Sequence, residues 1–175
     1  MIRNLKKIAG LSALLVFFAG CKDGNTTLTT DSKPVEIEFI KQGELEFLNP
    51  DGSSIKKIDI EFADTPNQRA RGLMDRSSMD ENRGMLFIFD DDDIRKHTFY
   101  MKNTRIPLDI MYFDKDSTLI NIARNAQPGA DSELSGGTVA GAKEDSKFVV
   151  EINGGLADKW GIKEGETKII WLKDK

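Results

Sequence analysis

Short runs of alternating or wholly apolar residues, each closed off by turn formers, recur along most of this chain, and a sheet is the element that buries them. They occupy residues 43–48, 55–63, 85–89, 98–102, 108–113, 119–126, 148–152 and 167–172, each within the usual length of a strand. Asn49-Pro50-Asp51-Gly52 supplies a turn in which Pro presets φ and Gly accepts φ > 0. Asp114-Lys115-Asp116-Ser117 closes a second hairpin, so neighbouring strands are expected to be antiparallel. One helix is signalled by Thr65 as N-cap, Pro66 in the first turn and Gln68 completing a capping box. Ala70, Leu73 and Met74 are its expected buried stripe. A second helical turn is expected over 155–160, ended by Gly161, with Lys163-Glu164-Gly165-Glu166 turning into the last strand. The fold class is mainly β (α+β): a compact antiparallel β-barrel or sandwich-like domain with one or two short helices.

The first residues belong to a different regime. Arg3, Lys6 and Lys7 form a basic start, residues 8–19 are apolar, and Phe18-Ala19-Gly20-Cys21 follows, the layout of a cleaved export signal. The apolar run is shorter than the roughly 20 residues a membrane span needs. Ala19 and Gly20 fit a signal-peptidase pocket, and the pattern resembles a bacterial lipobox with Phe18 where Leu is usual. Cys21 is the one cysteine, so no intrachain disulfide can form, and thioether lipidation removes the oxidation liability of a lone exported thiol. Diacylglycerol plus an amide-linked chain, at about 0.8 kcal/mol per buried CH₂, makes attachment effectively permanent. The expected organisation is a lipoprotein signal peptide at 1–20, a flexible tether at 21–35 and a single β-rich domain at 36–175.

Loss of residues 1–20 removes Arg3, Lys6 and Lys7 and no acid, leaving 22 Lys and Arg against 29 Asp and Glu, a formal charge of −7. Such a surface does not seek nucleic acid or anionic lipid. The tether, rich in Thr, Asp, Ser, Lys, Asn and Gly, cannot build a core.

Four pieces in the central third form a signature: Arg71-Gly72-Leu73-Met74-Asp75-Arg76, Gly84-Met85-Leu86-Phe87, Phe99-Tyr100-Met101-Lys102-Asn103-Thr104, and Ile106-Pro107-Leu108-Asp109-Ile110 with Phe113-Asp114 behind. In order and spacing they resemble the domain of unknown function family numbered 192, small β-rich proteins often found with signal peptides, over about residues 58–172. Members commonly carry Trp where this chain has Tyr100. The resemblance implies a fold and boundaries and brings no established activity.

Read from the residues alone, the strand at 108–113 puts Asp109 on one face with Met111 and Phe113, and Leu108, Ile110 and Tyr112 on the other. Both faces are apolar, and a carboxylate there costs several kcal/mol unless paired. Either Asp109 satisfies backbone N–H groups or a buried Arg, or Arg71, Asn103 and Asp109 meet a small ligand.

Other chemistries are constrained by counts. His97 is the one histidine, which excludes any site with several His ligands, and lipidation of Cys21 excludes thiol catalysis; His97 is expected at an exposed strand edge. The run Asp90 to Asp93 and the loop at Asp114 are expected to be solvated acidic turns, the latter lacking the Gly and distal Glu of a calcium loop. Met74, Met79, Met85, Met101 and Met111 are expected as core filler. No metal or other cofactor is implied.

The function these features favour is a non-enzymatic binding or accessory domain at the cell envelope, with the outer membrane favoured by Lys22 after Cys21. Its expected partners are the membrane, through lipid on Cys21, and a small molecule, glycan or envelope protein. The alternatives are a carboxylate-based hydrolase and a structural or interaction module with no small-molecule site.

Overall fold

The computed structural model describes residues 36–129 and 139–175; the expected signal peptide, Cys21 and the tether lie outside them. In chain order the elements are β1 (Gly43–Leu48), β2 (Ser54–Ala63), α1 (Pro66–Arg71), β3 (Arg83–Ile88), a single 3₁₀ turn at Asp91–Asp93, β4 (Leu108–Phe113), β5 (Leu119–Ala126), β6 (Phe148–Asn153), α2 (Leu156–Lys159) and β7 (Lys168–Lys173). The strands form one seven-stranded sheet in the order β5-β4-β6-β3-β2-β1-β7. Among the described residues no helix is long and apolar enough to cross a membrane.

Both expected hairpins form, for local reasons. Between β1 and β2, Gly52 takes φ +83°, Gly52 N–H donates to Asn49 O at 2.9 Å, and Asp51 Oδ1 accepts from Ser53 N–H at 2.9 Å. Between β4 and β5, Asp114 Oδ1 accepts from the N–H groups of Asp116 and Thr118 at 2.8 and 2.9 Å. The acid of that loop is therefore consumed in shaping the turn.

The mainly β fold with two short helices is as expected; one expectation about pairing is corrected, and of the two expected sheet forms the barrel is not the one seen. β2 and β3 run parallel, with Asp59 opposite Arg83 and Ala63 opposite Phe87; α1 lies in the crossover that a parallel pair requires. The sheet also does not close into a barrel. Its edges touch at one isolated bridge, Thr118 with Lys168, where Leu119 N–H reaches Thr167 O at 2.9 Å and Ile169 N–H reaches Ser117 O at 3.1 Å, and among the described residues no further strand pairs with the outer side of β5 or β7.

Each face of the sheet carries its own core. On one, Leu45, Phe47, Ile58, Ile60, Leu86, Met111, Phe113, Val150 and Ile152 pack with Leu156 and Ala157 of α2. On the other, Met85, Phe87, Leu108, Ile110, Tyr112 and Val149 pack with Leu73, Met101 and Ile106 from the connecting segments. That double burial is why every residue of β4 is buried, as expected of a strand covered on both sides.

Two further expectations fail locally. The run 98–102 is not a strand: it keeps the alternation, with Met101 buried and Thr98, Tyr100 and Lys102 exposed, but its carbonyls receive single bonds from other loops, Val139 N–H on Phe99 O and Gly129 N–H on Met101 O. Among the described residues no strand lies alongside to make a ladder. In α1 the capping box forms, with Gln68 Oε1 accepting from Thr65 N–H at 3.0 Å, yet none of its residues is buried. Gly72, at φ +48°, ends the helix before Leu73; Leu73 alone is fully buried, Met74 is half-buried and Ala70 is exposed.

Candidate ligand-binding site

Asp109 is 1% exposed and lies on the α2 side of the sheet. Its Oδ1 accepts from Asn125 N–H at 2.8 Å and its Oδ2 from Ala157 N–H at 2.9 Å. Each carboxylate oxygen thus has a backbone donor, one of them in the first turn of α2. Arg71 and Asn103 are elsewhere. Arg71 Nη2 donates to Asp75 Oδ2 at 3.1 Å, and Asp75 N–H donates to Asn103 O at 2.8 Å, with Arg105 Nη2 3.6 Å from Asp75 Oδ1. The structure brings Arg71 and Asn103 together around Asp75 at the surface and places Asp109 behind the opposite face of β4.

Arg71 also borders a cavity of about 170 Å³ between α1 and the segment 95–104. Its wall is aromatic: Phe87 and Phe99 meet edge to face with centroids 5.0 Å apart, and Phe89 is stacked on His97 at 3.5 Å. His97 is 3% exposed, contrary to the expected exposed edge, because the segment carrying it folds back over the second core. Its Nε2 lies 3.0 Å from Asp93 O, and burial lowers its pKa from the ordinary histidine value, so the ring is neutral at pH 7.

Among the described residues the one acid on this wall is Glu151, from β6. It sits opposite Met85 on β3 and Ile110 on β4, is 5% exposed, and has no hydrogen-bond or ion-pair partner among the described residues. Loss of hydration with nothing to replace it pushes its pKa up to about 8. Close by, the Tyr112 hydroxyl is buried and has no hydrogen-bond partner among the described residues, its own pKa raised by burial and then by the Glu151 carboxylate. Two neighbouring polar groups, both buried and both without a hydrogen-bond partner among the described residues, are the kind of exception that marks a site. The signal was present in the sequence: Phe148-Val149-Val150-Glu151-Ile152 puts a carboxyl inside an apolar strand, the same anomaly as Asp109.

The mouth is basic. Arg69 is held by the carbonyls of Asp64 and Ile88 at 3.1 and 2.8 Å, Arg95 by Asp93 at 2.8 Å, and exposed Lys102 has no side-chain partner among the described residues. Tyr100, half exposed, leans across with its hydroxyl 3.5 Å from Ala70 O.

A second buried pair lies outside this cavity. Arg76 Nη2 is 2.5 Å from Glu61 Oε2, and Glu61 Oε1 accepts from Ile40 N–H at 2.9 Å, while Arg76 Nε and Nη1 have no hydrogen-bond partner among the described residues. The acidic run is paired with cations: Asp90 with Arg69, Asp91 with Lys147 and Asp93 with Arg95. Among the described residues no group of three or more His, Cys, Asp or Glu side chains is placed to hold a metal ion.

No curated protein matches this chain. Solved structures do, two crystal structures among them. One is a protein of unknown function from Novosphingobium aromaticivorans DSM 12444, 31% identical, covering 81% of this chain and 94% of its own, with a TM-score of 0.65. The other, from Sinorhizobium meliloti 1021 and described as a candidate transcription regulator, is 30% identical, covers 78% of this chain and 98% of its own, and has a TM-score of 0.64. Residues 47–170 match the profile of the family described as Uncharacterized ACR. A match over that much of the chain, with both structures sharing the fold over nearly their full length, makes this protein a member of the DUF192 family.

Proposed function

We propose that this domain is a non-enzymatic small-molecule-binding module held at the cell envelope by lipid on Cys21. The observation that carries the reading is Glu151: a buried carboxyl without a partner, facing an aromatic cavity and beside an unpartnered Tyr112 hydroxyl. A group left in that state destabilises the fold, and a bound molecule that hydrogen-bonds to it recovers the loss. The hydrolase alternative needs two carboxyl groups flanking one bond, and among the described residues this wall holds one. A role in DNA binding, by analogy with the regulator described from Sinorhizobium, conflicts with the mature charge of −7.

Native mass spectrometry of the whole chain, purified in detergent from its own host, tests the reading. A small-molecule adduct retained by the wild type and lost from Glu151→Gln supports it; equal occupancy in both variants places the ligand elsewhere, and no adduct in either, with no stabilisation by any member of a metabolite library, sinks it. Cys21→Ser tests the anchor separately, moving the protein from the detergent phase to the aqueous phase if the lipid is there.

A further inference from the structure

Three features of the cavity, taken together, specify charge as well as shape. One wall holds Glu151, a carboxyl without a partner among the described residues, and two rings, Phe87 and Phe99, set edge to face with their planes at 88°; aromatic rings beside a carboxyl favour a cation. The mouth holds Lys102, unpartnered among the described residues, and Arg71, 52% exposed at its side chain with one contact to Asp75; these favour an anion. His97 is neutral between them, and Arg69 and Arg95 are already engaged. We propose that the ligand is a small zwitterion of the amino-acid or betaine class, its cationic nitrogen in the Phe87–Phe99 corner beside Glu151 and its carboxylate at Lys102 and Arg71. This rests on the binding function proposed above and names the chemistry of the same site.

Binding of the cation turns Glu151 from carboxylic acid to carboxylate, and its proton leaves to the buffer. The charged or titratable groups facing this cavity are Glu151 and the nearby Tyr112 on the sheet, Arg69 and Arg71 on α1, and Arg95, His97, Tyr100 and Lys102 on the covering segment. With Glu151 half-protonated at about pH 8, roughly 0.9 of a proton is released per site at pH 7.

The test is isothermal titration of the whole chain in detergent, in two buffers of different ionisation enthalpy, with alanine, glycine betaine, ethylammonium, propionate and propionamide as probes. The expected result is that alanine or glycine betaine binds at least tenfold more tightly than ethylammonium or propionate, with proton release. Which of the two wins separates a primary from a quaternary nitrogen. Glu151→Gln abolishes the release and weakens the winning probe at least tenfold, and Lys102→Ala reduces the advantage of that probe over ethylammonium. If propionamide binds best and no proton leaves, the zwitterion assignment is overturned while the binding reading stands. If no probe binds although the native adduct is still lost from Glu151→Gln, the assignment again falls alone.

Discussion

Glu151 and Asp109 are both carboxyls buried in apolar strands, and what distinguishes them is supply of donors. Asp109 has two backbone N–H groups; Glu151 has none and stays protonated at neutral pH. The sign of the pH effect follows: the Glu151 pKa is raised in the folded state, so its contribution is fully present below about pH 4.5 and is lost as pH rises through about 8. His97 acts oppositely, since its lowered pKa costs stability as pH falls below the ordinary histidine value. Thermal midpoints of the ligand-free chain should therefore decline between pH 6.5 and 8.5, and Glu151→Gln should flatten that decline; an unchanged slope in the variant would place the titrating group elsewhere. Asp109→Ala strands two buried donors and should cost about 3 kcal/mol in denaturant unfolding, without altering occupancy of the cavity. Removing Arg76, which leaves Glu61 buried and unpaired, should cost about 3–5 kcal/mol in the same measurement.

At the level of elements, legibility tracked how local the determining forces are. The Pro50-Asp51-Gly52 and Asp114 turns and the Thr65 box are built from neighbours in sequence, and they stand where residue chemistry puts them. The stretch 98–102 has the alternation of a strand, but a ladder needs a second strand alongside, and no sequence pattern within the stretch says whether one arrives. The parallel pairing of β2 with β3 was hidden for the same reason: Leu73 anchors the crossover after α1 has ended, so the helical stripe read from Ala70, Leu73 and Met74 was misleading. Of the expected site residues, Arg71 and Asn103 converge only through Asp75. Asp109 and Glu151 carry one and the same anomaly in sequence, and only the packing shows which of them lacks donors. Gly72 controls the crossover. At φ +48° and ψ −136°, with the Phe87 ring 3.3 Å from where a Cβ would sit, Gly72→Ala should cost about 1–3 kcal/mol, read by denaturant midpoint, and should also disturb the cavity whose wall Phe87 forms.

For the molecule as a whole, the sheet is the shared partition between two cores, and β3, β4 and β6 contribute side chains to both. Loss of the sheet under one core removes the surface on which the other packs. Trp160 and Trp171 pack against the first core and Tyr112 sits in the second, so tryptophan fluorescence and a nuclear-resonance signal from Tyr112 should report one denaturation transition with coincident midpoints; separated midpoints would mean the partition does not couple them. The two ends of the described fold also lie side by side. Gly43 at the start of β1 is opposite Lys173 at the end of β7, and Asp174 N–H donates to Gln42 O at 2.8 Å. A pulling load applied between the chain just ahead of β1 and the C-terminus would therefore bear on the β1–β7 ladder from one end and open its bonds in succession, as a zipper, instead of shearing them together. Held by such a load, this domain would be mechanically soft even where it is thermally sturdy, shedding its last strand first.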